Sequence, residues 1–278
     1  MGQQISSCQQ CSPDTQERLL PLESFPDLAS LPPELAAQVL SHLDATDLCL
    51  ASCVNESWWG LANIDPLWKQ LCYKKWGKVS AYTSDYPLKN SYKKLYLVLD
   101  NGTLTFAADP HEGISYLVAM GVLEDRSEAI AEFIHHTTLL DWKSLERLLR
   151  ERRDVLQVLV KLHRYDNMFL PDALRKFFSL IPAPNERGQH LETLLNLFSQ
   201  KYIECNPSLD LGSDTIFVVC YSLILLSVDL TSPHVKNKMS KREFIRNLRQ
   251  ATPDVSSELL GHMYDNIYLS GHVATEYS

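Results

Sequence analysis

Apolar residues in this chain recur mostly three and four positions apart, the period of a helix that buries one face. Residues 1–27 lack that period. They are polar and rich in Gln and Ser, and read as a flexible tail. From Leu31 the pattern begins. "LPPELAAQVLSHL" sets Leu35, Val39, Leu40 and Leu43 at helical spacing, with Pro32 and Pro33 where a helix starts. "DATDLCLASCV" follows, with Thr46 or Asp47 as the expected cap. "WWGLAN" and "DPLWKQLCYKKW" then give short helical turns carrying Trp58, Leu61, Leu67, Trp68, Leu71 and Trp76. So small a module with so many large apolar side chains calls for a partner surface to cover them.

Residues 77–107 read as a looser linker. It ends in "LDNGTLTF", where Asn101-Gly102 between short β-prone runs predicts a turn. From Pro110 onward helical patterns follow one another, separated by Gly, Pro, Asn or Asp. "SDTIFVVCYSLILLSVDL" is apolar on all sides and is expected to be a buried central helix.

Composition narrows the class. The 278 residues are 45% hydrophobic and 22% charged, which is a globular balance. Only ten are glycine, and Leu, Ala, Glu and Lys are plentiful, so helix is favoured over sheet. No apolar run is expected to reach the roughly 18 residues of a membrane span. No secretory signal opens the sequence, so a cytoplasmic location with reduced cysteines is expected for its seven Cys. A net charge of −8 argues against nucleic acid, whose phosphates demand a positive binding face. Yet "SPHVKNKMSKREFIRNLRQ", residues 232–250, gathers Lys236, Lys238, Lys241, Arg242, Arg246 and Arg249 against the single acid Glu243.

Motifs for nucleotide cradles, zinc hydrolysis and serine nucleophiles are missing, and no cofactor or metal is expected. His135-His136 read as helix-face residues. Cys8 and Cys11 form a lone CxxC with no second pair to complete a zinc site. Met1-Gly2-Gln3-Gln4-Ile5-Ser6 fits the pattern for myristoylation at Gly2, with Cys8 and Cys11 near enough for a second acyl chain. Two readings stay open there: an acylated, peripheral membrane anchor and an unmodified tail.

Leu31-Pro32-Pro33-Glu34-Leu35, Val39-Leu40, Leu43, Asp47-Leu48, Val54, Trp58, Leu61 and Leu67-Trp68 resemble an F-box over residues 28–76. The resemblance implies docking on the Skp adaptor of a cullin–RING ubiquitin ligase. Leu31, Pro32, Leu35, Leu40, Leu43 and Leu48 would make the contacts, while Trp58, Leu67 and Trp68 would pack the module itself.

Residues 108–278 resemble the catalytic domain of Arf-type exchange factors, the Sec-seven domain. "GISYLVAMGVLED", "AIAEFIHHTTLLD", "DALRKFF", "LFSQKYIECNP" and "ELLGHMYDNI" follow its pattern. "VDLTSPHVKNKMSKREFIRN" follows its second signature, "TDLHNPNVKKKMTKEDFIRN". The resemblance implies an all-α, right-handed superhelix of about ten helices, with an apolar groove for the switch regions of an Arf-family GTPase. Asp229, Leu230, Pro233, Val235, Lys236, Met239, Phe244 and Ile245 keep the family residue, so the basic run belongs beside that groove. The first signature, "FRLPGEAQKI", corresponds to "LIPAPNERGQHL", which puts Glu186 at the position of the family's catalytic glutamate. That stretch carries an extra residue, Arg187 adjoins the acid, and Ser227 and Ser232 replace family asparagines. GTPase capture is therefore better supported than exchange. The expected protein is an adaptor that brings an Arf to a ligase and regulates Arf signalling. An exchange factor acting through Glu186 and a non-catalytic helical scaffold are the alternatives.

Overall fold

The computed structural model describes residues 28–83, 91–138, 140–184 and 188–274. Among these are fourteen α-helices, two 3-10 turns and no strand, so the fold is all-α as expected. Gly2, Cys8, Cys11 and Glu186 lie outside the described residues.

The chain divides into two compact units at Ile64/Asp65. The smaller holds α1 (Pro33–Leu40), α2 (Ala45–Ala51) and α3 (Glu56–Ala62). Pro33 sits at the first helical position of α1, where its missing N–H costs nothing. Asp44, not Thr46 or Asp47, caps α2, its carboxylate accepting the N–H of Asp47 at 2.8 Å. Asn55 caps α3 by accepting from the Trp58 N–H at 2.9 Å. Helices α1 and α2 both pack on α3, and Ala36, Leu40, Leu48, Ala51 and Ala62 are buried.

The larger unit runs through α4 (Asp65–Lys75), α5 (Tyr92–Ala108), α6 (Pro110–Ala119), α7 (Ser127–His136), α8 (Trp142–Glu151), α9 (Arg153–Leu162), α10 (Leu170–Leu180), α11 (Gln189–Cys205), α12 (Ser213–Thr231), α13 (Lys241–Ala251) and α14 (Ser257–Ser270). Helix α4 belongs here: Trp68 and Trp76 meet Tyr96 of α5 edge-on, with centroids 5.5 and 5.0 Å apart. The Trp76 indole N–H donates to the Thr103 hydroxyl at 2.9 Å, and Lys75 pairs with Asp100 at 2.5 Å. Trp68 thus rests on Tyr96 of this unit.

Asn101-Gly102 is no turn. It lies inside α5, so residues 92–107 are not linker. The glycine serves a close crossing instead. A Cβ at Gly102 would stand 2.4 Å from Leu117 of α6, and one at Gly113 of α6 would stand 2.5 Å from the Phe106 Cα of α5. Each helix has a notch where the other presses in.

Among the described residues, helix α12 alone is long and apolar enough to cross a membrane by length and composition, although no such run was expected. Its packing is that of a core helix. It contacts α10, α11, α13 and α14 and buries Ile216, Val219, Cys220, Leu223 and Ile224. The burial is one-sided, since Leu225 remains 36% exposed.

Candidate functional site

The exposed side of α12 forms one wall of an apolar groove of about 450 Å³. Helix α12 supplies Ser222, Leu225, Leu226, Val228 and Asp229. The 232–240 loop supplies Val235 and Met239, and α13 supplies Phe244, Asn247 and Leu248. Leu226, Phe244 and Leu248 are buried floor residues, whereas Leu225, Val228, Val235 and Met239 keep accessible surface. The walls offer a partner dry contact area, with Asn247 as a polar group that can fix its orientation.

Helix α13 is positioned by its own N-terminus. Ser240 and Glu243 form a capping box, with side chain to backbone N–H in both directions. The Ser240 bonds hold the Glu243 carboxyl below the usual carboxylate range. Phe244 then leans on Tyr264 of α14, centroids 5.9 Å apart.

Of the eight residues expected to meet a GTPase, Asp229, Val235, Met239 and Phe244 line this groove. Leu230 and Ile245 lean on the core behind it, and Pro233 and Lys236 are exposed on the loop and its flank. The sequence reading missed Leu225, Leu226, Asn247 and Leu248. Their signal was present, because Phe244 and Leu248, four apart, share one face of α13.

The basic run separates into two kinds of charge. Lys241 pairs with Asp265 at 2.5 Å. The Lys238 ammonium donates to the carbonyl oxygens of Asp229, at 2.7 Å, and Ser232. Lys236, Arg242, Arg246 and Arg249 are exposed, and the last three follow helical spacing along α13 beside the groove.

The smaller unit presents a different surface. Leu35 and Pro32 are exposed and Leu31 and Leu43 half-buried, so these expected contacts are accessible. Leu40 and Leu48 are each only 1% exposed, which corrects their assignment as partner contacts: they fill the module's interior. Val39, Leu50, Val54 and Trp59 are exposed in their place.

No group of three or more metal ligands occurs among the described residues. His135 packs against His163 with ring centroids 5.1 Å apart. The Tyr165 hydroxyl and Nδ1 of His163 share a hydrogen bond of 3.3 Å, and burial pulls His163 down to about 4. Cys72 and Cys220 are buried, and burial pushes the Cys72 thiol up to about 12, where it is no nucleophile.

Against known families, residues 96–270 match the Sec7 domain. The chain belongs to the Sec7 domain family. Residues 28–74 match the F-box-like family, so an F-box-like module precedes the Sec7 domain. F-box only protein 8 of Mus musculus and of Homo sapiens are each 56% identical over 256 residues, spanning 91% of this chain and 79% of theirs. Brefeldin A-inhibited guanine nucleotide-exchange protein 1 of Bos taurus is 33% identical over 178 residues, 61% of this chain and 10% of that protein. Among solved structures, the Sec7p catalytic domain is 28% identical with a TM-score of 0.58, covering 62% of this chain and 97% of that one. A Sec7 domain bound to ARF1-GDP and brefeldin A is 25% identical with a TM-score of 0.56, covering 62% of this chain and 91% of that one.

Proposed function

We propose that the chain brings an Arf-family GTPase to a cullin–RING ubiquitin ligase and so regulates Arf signalling. The observation that carries this reading is the pairing of two unlike apolar surfaces in one chain. An F-box-like module leaves Leu35, Val39, Leu50, Val54 and Trp59 exposed, and a Sec7 domain carries an open groove beside a basic helix face. The first suits a docking surface for the Skp adaptor, where aromatic and aliphatic anchors fill pockets. The second suits an apolar GTPase surface, with Lys236, Arg242, Arg246 and Arg249 steering acidic groups of the partner. The solved Sec7 domain with ARF1-GDP supports the choice of partner. In this role the chain holds the GTPase near the ligase and performs no covalent step. Purified chain, Skp adaptor and nucleotide-free Arf should form a ternary complex by size exclusion. Binding of neither partner overturns the reading.

Nucleotide exchange is the second reading, favoured by the likeness to a guanine nucleotide-exchange protein. Glu186, at the position of the family glutamate, would act by bringing a carboxylate against the β-phosphate and competing for its Mg²⁺, so that GDP leaves. Fluorescent-GDP release from Arf should then depend on the chain and be lost in Glu186→Ala. Release unaffected by the chain excludes it. The same proposal has the chain act in the cytoplasm, held at membranes where Gly2 is acylated and Cys8 or Cys11 adds a second lipid. A membrane fraction unchanged in Gly2→Ala would rule out that anchor.

A further inference from the structure

We infer that Lys238, Asp229 and Tyr264 form a latch that sets Met239 in the groove wall, and that they act on partner binding through Met239 rather than by touching the partner. The inference rests on the reading of the groove as a GTPase site. It changes the role of Asp229, gives one to Lys238 of the signature, and adds Tyr264, which lies outside that signature.

The 232–240 loop has little apolar anchorage of its own, because Ser232, Val235 and Met239 are half-buried and its remaining residues exposed. What fixes it is polar. Oδ2 of Asp229 accepts the Met239 N–H at 2.7 Å, reaching across the whole loop. The Tyr264 hydroxyl, on α14, donates to the Met239 carbonyl at 2.8 Å. Both polar groups of Met239 are therefore held by side chains from two different helices. Lys238, the residue before it, donates to two carbonyls at the C-terminus of α12, those of Asp229 and Ser232. Those carbonyls lie where the helix has run out of N–H donors and where its dipole favours a cation. A lysine that looks like a steering charge in the sequence is thus occupied in closing the loop onto the helix end.

The Met239 side chain then reaches the groove with its backbone already fixed. A flexible loop would have to order on binding, and that ordering would be charged against affinity. Each latch bond tethers a loop, so its loss should raise local opening far more than global unfolding.

The test separates the latch from general stability. Hydrogen exchange of the Met239 amide is measured by NMR in the free chain for Lys238→Met, Asp229→Ala, Asp229→Asn and Tyr264→Phe. Exchange should quicken by about tenfold in Lys238→Met and Asp229→Ala, while the global unfolding midpoint stays close to wild type. Asp229→Asn keeps an acceptor oxygen and should restore slow exchange. Tyr264→Phe keeps the ring against Phe244 and Tyr268 and removes only the donor. Affinity for nucleotide-free Arf should fall about tenfold in Lys238→Met. In a Met239→Ala background the same change should cost less than about twofold, since the residue it positions is gone. Unchanged exchange in Lys238→Met and Asp229→Ala, or losses that add fully in the double variant, overturn the latch. A wild-type chain that binds no Arf overturns the GTPase reading and the latch's role in binding, while the exchange measurement still decides whether the latch exists.

Discussion

Two tryptophans flank the boundary at Ile64. Trp59 in the smaller unit is 59% exposed, and Trp68 in the larger is completely buried against Tyr96. The units treat apolar surface in opposite ways. The larger has enough chain to enclose its big side chains, down to an aromatic cluster in which Phe198 meets Tyr165, Phe177 and Tyr202 at 5.1–5.8 Å. It leaves the α12–α13 groove open. The smaller encloses mainly alanine and leucine and leaves Trp59, Leu35, Val39, Leu50 and Val54 outside. A buried apolar residue supports a fold, whereas an exposed set of them awaits a partner.

The contrast can be broken most forcefully at the two tryptophans. Trp68→Ala should cost about 3–5 kcal/mol of unfolding free energy in urea followed by circular dichroism. Trp59→Ala should stay within about 0.5 kcal/mol. Equal losses would mean that the units do not differ in this way. Gly113→Ala comes next. Its methyl would meet the backbone of Phe106, and a cost of about 1–3 kcal/mol is expected in the same titration.

Binding reverses the order. Leu35→Ala combined with Trp59→Ala should weaken Skp-adaptor binding by about 2 kcal/mol or more with the fold intact, read by calorimetry. In the groove, Met239→Ala should weaken Arf binding by about 1–2 kcal/mol. Lys236→Ala should chiefly lower the association rate and its salt dependence. A larger equilibrium effect for Lys236 would make the groove electrostatic and not apolar.

Acid gives the finest distinction. His163 titrates lower in the folded chain, about 4, than the ordinary 6.5, so the unfolded chain takes up the proton first. Its contribution is therefore complete above about pH 6.5 and is lost as pH falls from there toward 4. The larger unit should weaken over that window, while His42, the smaller unit's histidine among the described residues, is exposed. His163→Asn, whose amide group can replace Nδ1 in the bond with Tyr165, should flatten this limb in pH-dependent melting. An unchanged limb would assign acid sensitivity elsewhere.

Much of this was legible in the chain. The helical period from Leu31 and from Pro110, and the signatures at Leu31–Leu35 and Val228–Asn247, located both modules and the groove. The F-box bounds of 28–76 lie close to the family match over residues 28–74, while the packing boundary at Ile64 was not legible, because apolar periodicity runs unbroken through it. Asn101-Gly102 misled for a related reason. Glycine permits a turn and a close helix crossing alike, and sequence spacing does not say which. Leu40 and Leu48 were mistaken for contacts because a helix with few large residues must spend some of them on its own interior. Asp229 and Lys238 carry the charges a recognition surface would, yet both face inward to the loop's backbone.

The crossing of α5 and α6 has a mechanical consequence. Leu117 is seated at Gly102 and Phe106 at Gly113, each helix acting as tooth for the other's socket. Two such teeth pointing in opposite directions lock the pair against sliding, as a key locks a shaft. The 232–240 loop has no such interlock, and polar bonds from Asp229, Lys238 and Tyr264 hold it instead.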